Sequence, residues 1–282
     1  MSAAAALAAA TAELGGGDDA RRDARLHLQF VWKRDRAWLF AHAEEMLSAD
    51  IASRFNEAIA RRARGEPVAY VTGEAWFYGR RFVVSPAVLV PRPETEQLVE
   101  AVLEYLDARS RPGLLRVCDV GTGSGVLAIT LACERPALEL TALDRSDRAL
   151  AVARRNAVAL GVDGRIRFRA ADLFEGAAPG ERFDCVVANL PYVRTGALRS
   201  APDMTSFEPR LALDGGEDGL AVYRRFLALL TERLEPGAGV FLEAAPDTAG
   251  PLAALARECF PGKTCAVLRD YASLERIVAV RD

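Results

Sequence analysis

Short apolar runs alternate with segments of helical periodicity over most of the chain. The runs occupy residues 115–120, 138–143, 166–170, 183–188 and 239–243, and helical patterns lie between them. Strands that alternate with helices are typical of a parallel sheet covered by helices on both faces. The pattern predicts a doubly wound α/β domain over residues 91–282.

The end of this domain has a different pattern. Two apolar runs, 264–268 and 275–280, are separated by only a short turn region. A parallel pair needs a long crossover connection, whereas an antiparallel pair does not. We therefore expect an antiparallel hairpin at the edge of the sheet.

Residues 1–66 show no strand-like alternation. Alanine, leucine and arginine dominate this segment, and Gly15-Gly-Gly17 interrupts it early. Ser48 is a suitable helix N-cap, and Phe55 and Ile59 follow it on one helix face. The segment predicts a small helical domain, which we interpret as a substrate-recognition domain.

Residues 67–90 change in composition. Aromatic and β-branched residues alternate there and are broken by glycine, as in Phe77-Tyr-Gly79. Such a composition is typical of strands and tight turns. We predict a β-hairpin linker between the helical domain and the α/β domain.

A glycine-rich loop follows the first strand of the α/β domain. The strand ends with Asp119 and Val120, and Gly121-Thr122-Gly123-Ser124-Gly125 then turns into a helical pattern. Glycine permits positive φ and lets a ligand approach the backbone closely. The spacing differs from the Gly-x-Gly-x-x-Gly of dinucleotide enzymes, and the Asp119 carboxylate would repel a pyrophosphate. An acid here suits a ligand with an ammonium group, such as the methionine part of S-adenosylmethionine.

Acidic residues end the next two strands. Asp144 stands where doubly wound folds place the acid that binds ribose hydroxyls, although it could also cap the following helix. Asp172 follows the third strand and could accept a hydrogen bond from an adenine amine, while Leu173 packs on the ring. With the loop, these residues predict S-adenosylmethionine as the cofactor.

The fourth strand leads into Asn189-Leu190-Pro191-Tyr192. The Asn189 side-chain oxygen and the Leu190 carbonyl are acceptors, and Tyr192 offers an aromatic face. These groups can hold both hydrogens of a planar NH2 group and fix its nitrogen in line with a sulfonium methyl. No histidine is near these motifs in sequence, so we expect positioning and electrostatics to carry catalysis, with the proton leaving after methyl transfer. Asn189, Pro191 and Tyr192 are the candidate catalytic residues.

Composition narrows the class of protein. A formal net charge of -3 disfavours a protein built mainly to grip nucleic acid. The five cysteines are scattered without a Cys-x-x-Cys pair, which favours structural thiols in a reducing compartment. No apolar run approaches the ~20 residues of a membrane span, and the alanine-rich start has no basic leader. We expect a cytoplasmic monomer with no metal, no membrane span and no stable nucleic-acid partner.

From about residue 66 onward, the chain resembles the peptide chain release factor glutamine N(5)-methyltransferases, the HemK/PrmC family. Besides the glycine loop and the tetrapeptide, the resemblance includes Pro67-Val-Ala-Tyr70, Pro91-Arg-Pro-Glu-Thr-Glu96 and Phe207-Glu-Pro-Arg-Leu-Ala-Leu-Asp-Gly-Gly216. The last two together are far more specific than either general methyltransferase motif. The resemblance implies a class I methyltransferase (Rossmann-like) sheet, preceded by an N-terminal helical domain.

Members of this family methylate the glutamine in the Gly-Gly-Gln loop of class 1 release factors. The resemblance implies that Gly121 to Gly125, Asp144, Asp172 with Leu173, and Asn189 bind the cofactor. It also implies that Asn189 to Tyr192 hold the glutamine side chain. The family usually has proline where this chain has Leu190, which keeps the carbonyl acceptor but loses the fixed φ and adds a backbone donor.

Three alternatives remain open on the motifs alone. A sister group with the same tetrapeptide methylates a glutamine of a ribosomal protein, but the flanking segments favour the release-factor group. A DNA adenine methyltransferase is disfavoured by the acidic net charge and by the absence of a target-recognition insert. A cofactor-binding regulator without catalysis would be expected to lose Asn189 or Tyr192, and both are present.

Overall fold

The computed structural model describes residues 1–109, 113–175, 177–178, 180–198 and 204–282, which form two compact units. The first contains Met1–Glu74 and the described residues of Pro202–Phe207, and the second contains the described residues of Ala75–Ala201 and Glu208–Asp282. No helix among the described residues is both long enough and apolar enough to cross a bilayer.

The first unit is helical, as predicted. Its helices are α1 (Ala3–Glu13), α2 (Gly17–Trp32), α3 (Arg36–Ala41), α4 (Ala49–Ala63) and α5 (Val68–Thr72). The Ser48 hydroxyl caps α4 by accepting the Ile51 N–H at 3.3 Å, which confirms the predicted helix start. Leu28, Phe55 and Ile59 are buried in the core of this unit.

The segment 67–90 holds a helical turn as well as a hairpin. Strands β1 (Glu74–Phe77) and β2 (Arg80–Val83) form a two-stranded sheet. α5 precedes them, between Pro67 and Gly73, and the Pro67 carbonyl accepts from Tyr70 at 2.9 Å. Proline before a helix and left-handed glycine after it are strong local boundary signals, which here outweigh the β-propensity of the residues between them.

The second unit is built around a seven-stranded sheet. Its strands are β3 (Leu115–Val120), β4 (Leu138–Asp144), β5 (Ile166–Ala170), β6 (Phe183–Ala188), β7 (Leu234–Glu243), β8 (Thr264–Arg269) and β9 (Glu275–Arg281). The strand order is β5-β4-β3-β6-β7-β9-β8. The first five are parallel, and β9 pairs antiparallel with both β7 and β8. The doubly wound sheet and its antiparallel edge hairpin are thus confirmed.

Helices cover both faces of this sheet. The α-helices of this unit are α6 (Thr95–Asp107), α7 (Val126–Glu134), α8 (Asp147–Ala159), the short α9 (Thr195–Leu198), α10 (Ala221–Leu230) and α11 (Pro246–Cys259), and all but α9 contribute to the buried cores. Residues of α6, α7 and α8 share one buried core with the sheet, and residues of α10 and α11 share the other. Val187 belongs to the first core and its neighbour Val186 to the second, as alternation along a strand requires.

Candidate active site

Five parallel strands end at the same edge of the sheet. The glycine loop follows β3, Asp144 ends β4, Asp172 follows β5, Asn189 follows β6 and Glu243 ends β7. Ligands of open α/β sheets bind outside these carboxyl ends, where the strand order reverses. The order β4-β3-β6 places that reversal beside the glycine loop.

A cavity of about 500 Å³ lies at this edge, within the second unit. Most of the residues proposed from the sequence line it: Gly121, Thr122, Gly123, Ser124, Asp144, Asp172, Leu173, Asn189, Leu190 and Pro191. Asp119, Gly125 and Tyr192 are not part of its wall. The site residues therefore divide into a set that can touch a ligand and a set that lies behind it.

The glycine loop is held by backbone hydrogen bonds to the neighbouring strand. The N–H groups of Gly121 and Thr122 both donate to the Leu143 carbonyl, at 2.8 and 2.9 Å. Gly121 has a φ of 76°, and a Cβ at this position would lie only 2.9 Å from Cδ2 of Leu190. Glycine is required here because the loop backbone turns left-handed and packs directly against the tetrapeptide.

Asp119 lies beneath the loop and not in the cavity wall. Its side chain is fully buried, and Oδ2 accepts from the Thr122 hydroxyl at 2.6 Å and from the Ala128 N–H at 3.2 Å. Oδ1 has no hydrogen-bond partner among the described residues. Burial raises the pKa of Asp119 to about 7, against the lowering effect of its two donors. Its position supports the loop, and the direct cofactor contact inferred from sequence stays a prediction.

Asp144 reaches the cavity between two backbone donors. Oδ2 accepts the Gly123 N–H at 2.8 Å, and Oδ1 accepts the Ser146 N–H at 2.9 Å. The N-cap of α8 is Ser146, whose hydroxyl accepts from Ala149 at 3.2 Å, so Asp144 is not the cap. Burial raises the pKa of Asp144, although these N–H groups favour its ionised form. Each carboxylate oxygen retains a lone pair for a ligand hydroxyl.

Asp172 and Leu173 form the next part of the wall. The Asp172 carboxylate pairs with the Arg225 guanidinium at 3.0 Å, which keeps one of its oxygens engaged. Leu173 is buried and has a φ of 56°, a left-handed conformation that costs free energy in a residue other than glycine. Leu173 also lines the cavity, where it offers an apolar surface.

The tetrapeptide is anchored at three of its residues. Nδ2 of Asn189 donates to the Thr95 hydroxyl at 3.3 Å. The Leu190 N–H donates to the Tyr223 hydroxyl at 3.2 Å, and the Tyr192 hydroxyl donates to Oε1 of Glu243, also at 3.2 Å. Burial and the nearby Glu243 carboxylate raise the pKa of Tyr192 well above its usual value, so its hydroxyl keeps the proton that it donates.

Thr95, Tyr223 and Glu243 were not found by sequence reasoning. Thr95 begins α6, Tyr223 lies in α10, and Glu243 is the last residue of β7. All three are almost completely buried. The one usable sequence signal was Glu243, an acid at the end of an otherwise apolar strand at the edge where ligands bind.

The segment 208–219 closes the site on another side. Glu208 is buried, and its carboxylate accepts from the Val90 N–H at 3.0 Å and from the Arg92 guanidinium at 2.5 Å. Further along, a Cβ at Gly219 would lie 2.5 Å from the Tyr192 carbonyl oxygen. Only glycine permits this approach, so the glycines of the segment let its backbone press against the tetrapeptide.

Comparison with known proteins agrees with this arrangement. Residues 5–73 match the family described as PrmC N-terminal domain, and residues 96–206 match the one described as Methyltransferase small domain. A T. thermophilus 16S rRNA N2 G1207 methyltransferase, solved with AdoMet and guanosine, superposes with a TM-score of 0.54 at 21% identity, covering 74% of this chain and 49% of that one. At this identity, the likeness concerns the fold.

Curated relatives extend over nearly the whole chain. The release factor glutamine methyltransferase of Koribacter versatilis is 43% identical, covering 93% of this chain and 91% of its own. That of Cereibacter sphaeroides is 40% identical, covering 100% of this chain and 99% of its own. The expected family is thereby confirmed: the chain belongs to the release factor glutamine methyltransferases.

Proposed function

We propose that this chain transfers the methyl group of S-adenosylmethionine to the side-chain amide nitrogen of a glutamine, the one in the Gly-Gly-Gln loop of class 1 peptide chain release factors. One observation carries the proposal. Asn189 and Leu190 line the same cavity as the glycine loop and Asp144, so an amide-binding group and a nucleoside-binding group share one space. The names of relatives about 40% identical along the chain support the same acceptor.

The residues of the cavity fit S-adenosylmethionine. Asp144 offers carboxylate oxygens to ribose hydroxyls, Leu173 offers an apolar surface to adenine, and Asp172 offers an acceptor to the adenine amine. The positive φ of Gly121 and Gly123 leaves loop backbone open on the cavity side. When bound, the cofactor supplies an electrophilic methyl group on a positively charged sulfonium.

The tetrapeptide would hold the acceptor. The Asn189 side-chain oxygen and the Leu190 carbonyl accept the two hydrogens of the glutamine NH2 group, which orients its nitrogen toward the methyl group. Tyr192 does not line the cavity, so it would contribute by holding the tetrapeptide through the bond from its hydroxyl to Glu243. The amide nitrogen is a weak nucleophile because its lone pair is delocalised, so holding it in line with the methyl group is the main contribution of the site.

Proton removal needs no dedicated base in this scheme. No histidine is among the described residues that line the cavity. The methylated nitrogen is strongly acidic while it carries the extra hydrogen, so water can take that proton after methyl transfer. Asn189, Pro191 and Tyr192 then act by position and electrostatics and not by acid–base exchange.

We further propose where and how the protein works. Because translation takes place in the cytoplasm, the protein would act there, as a monomer that meets the release factor transiently. The helical unit would contribute to recognition of that partner. The net charge of -3 argues against a stable complex with nucleic acid.

The proposal is tested with purified protein, labelled S-adenosylmethionine and a class 1 release factor. Wild-type release factor should take up label, and a variant with the loop glutamine replaced by asparagine should not, because the shorter side chain cannot reach the tetrapeptide. Equal labelling of both would overturn the proposed acceptor.

A further inference from the structure

The side chain of Asn156 in α8 is hydrogen-bonded to two other segments of the second unit. It is 1% exposed, and its Oδ1 accepts from the Val83 N–H at 2.7 Å. Nδ2 donates to the Val83 carbonyl at 3.0 Å and to the Ser124 carbonyl at 2.9 Å. Val83 ends strand β2 of the hairpin, and Ser124 belongs to the glycine loop. One buried amide therefore connects the hairpin to the glycine loop.

Both connected segments form part of the cavity wall. Ser124 lines the cavity, and so do residues 87–89, which follow shortly after β2. Asn156 itself is not in the wall. Its amide thus lies behind the cavity and fixes the spacing between two of the segments that enclose it.

The glycine loop packs closely on the same face of α8. A Cβ at Gly125 would lie 3.1 Å from Cβ of Ala153, which precedes Asn156 by about one helical turn and so shares its helix face. Ala153 is completely buried, and its small side chain leaves room for the loop backbone. This close contact brings the Ser124 carbonyl within reach of the Asn156 amide.

Only one orientation of the Asn156 amide satisfies all three hydrogen bonds. Its oxygen faces an N–H donor and its NH2 group faces two carbonyl acceptors, so a flipped amide would meet every partner with the wrong group. Leucine has a similar shape but no polar group, and aspartate has no NH2 group. Without the amide, the buried Ser124 carbonyl loses its partner, which favours movement of the glycine loop away from α8.

We propose that Asn156 is a positioning residue for S-adenosylmethionine, which holds the glycine loop at a fixed distance from residues 87–89 before the cofactor binds. Asn156 acts through Ser124 and Val83 and touches neither the cofactor nor the acceptor. The inference rests on the proposed function, because it assigns this cavity to the cofactor. It predicts an effect on cofactor affinity and not on methyl transfer, because both segments are already in place once the cofactor is bound.

Two substitutions in the full-length protein test the inference. Asn156→Leu removes all three hydrogen bonds, and Asn156→Asp keeps the acceptor for the Val83 N–H but removes both donors. Leu106→Ala is the control for lost stability, because Leu106 is buried in the same core as the residues of α8 and does not line the cavity. Calorimetry measures the Kd for S-adenosylmethionine at a temperature where every variant is folded.

Both Asn156 variants should raise this Kd about 5- to 50-fold, the range expected when two coupled groups are separated. The kcat at saturating S-adenosylmethionine and the KM for the release factor should stay within about threefold of the wild type, and so should the Kd of Leu106→Ala. Wild-type Kd values in both Asn156 variants, or a Kd raised equally by Leu106→Ala, would overturn the inference. A wild-type protein that binds no S-adenosylmethionine would instead refute the proposed function.

Hydrogen exchange in the wild-type protein gives a second readout, which needs neither activity nor a folded variant. Because coupling is reciprocal, cofactor binding must strengthen the Asn156 contacts by the factor by which these contacts strengthen cofactor binding. Exchange of the Val83 N–H should therefore slow about 5- to 50-fold when S-adenosylmethionine is added. The Tyr78 N–H in the same hairpin donates to Oε1 of Glu96 at 2.6 Å and is the internal reference, which should slow less. Equal slowing of the two amides, or none at Val83, would overturn the inference.

Discussion

The hydroxyl of Tyr223 accepts the backbone N–H of Leu190 at 3.2 Å and donates its own proton to the backbone carbonyl of Glu243. Leu190 stands where the family usually has proline, which would have no N–H to bond. Its side chain fills the space beside Gly121, where Cδ2 lies against the glycine. The extra donor and the larger side chain are therefore both accommodated, and the tetrapeptide is held without the proline.

This relationship predicts a coupling between the two residues. Tyr223→Phe leaves the buried Leu190 N–H without a partner and should lower the free energy of unfolding by about 1–3 kcal/mol. In a Leu190→Pro background that donor is absent, so Tyr223→Phe should lower the free energy of unfolding by less. Denaturant unfolding of the wild type, the two single variants and the double variant measures the difference. Strictly additive effects would mean that the hydrogen bond contributes nothing.

Substitution of Asn189 should impair methyl transfer, whereas substitution of Asp144 should impair cofactor binding. Asn189→Ala removes an acceptor for the substrate amide and should abolish methyl transfer, while S-adenosylmethionine still binds with only modestly reduced affinity. Asp144→Ala removes acceptors for the ribose and should raise the cofactor Kd about tenfold or more. Calorimetry with S-adenosylmethionine and a turnover assay together distinguish them. Unchanged turnover in Asn189→Ala would remove that residue from the reaction.

Asp119 should make the protein less stable as pH rises. Its pKa is 3.8 in an unfolded chain and about 7 in the folded one, so the unfolded chain releases the proton first. The free energy of unfolding should therefore fall between these pH values. Asp119→Asn keeps the shape and should raise stability at pH 8 by about 2–4 kcal/mol.

The same variant tests whether Asp119 touches the cofactor. Because the carboxyl lies outside the cavity wall, Asp119→Asn should change the Kd for S-adenosylmethionine by less than about threefold. Thermal unfolding from pH 5 to 8 measures the stability of the variant, and calorimetry at pH 8 measures its Kd for S-adenosylmethionine. A wild-type pH profile of stability in Asp119→Asn would contradict the raised pKa, and a Kd raised tenfold would support the direct contact inferred from sequence.

His27 should give the helical unit the opposite pH dependence. Burial lowers the pKa of His27 from 6.5 to about 4, and both ring nitrogens lack partners among the described residues. The unfolded chain takes up a proton that the folded unit resists, so stability should fall as pH drops from 6.5 toward 4. His27→Leu should flatten this slope, and the same change at exposed His42 should not. Fluorescence of Trp32 and Trp38, both in this unit, follows the unfolding.

The strands and most of the cavity wall could be predicted from sequence for a common reason. Parallel strands are buried on both faces, so they read as apolar runs, and the residues just after them must gather at one edge. That logic located the glycine loop, Asp144, Asp172 and Asn189 without any long-range information.

The buried residues that hold the tetrapeptide could not be predicted from the positions of the strand ends. Thr95, Glu243 and Tyr223 meet the tetrapeptide across separations of 94, 51 and 33 residues, and packing alone brings them there. Local chemistry also competes with periodicity: Pro67 and Gly73 bound a short helix in a segment that looks like a strand. For Asp119, the sequence located the strand end but did not tell whether the carboxylate faces the ligand or the core.

The most direct test of the account is a competition for one methyl donor. The protein is incubated with labelled S-adenosylmethionine, a class 1 release factor, a ribosomal protein fraction and DNA together, and the modified residue is mapped by mass spectrometry. We expect the label on the glutamine of the Gly-Gly-Gln loop, and none with Asn189→Ala. Label on a ribosomal protein, on adenine or on another residue of the release factor would contradict the proposed function.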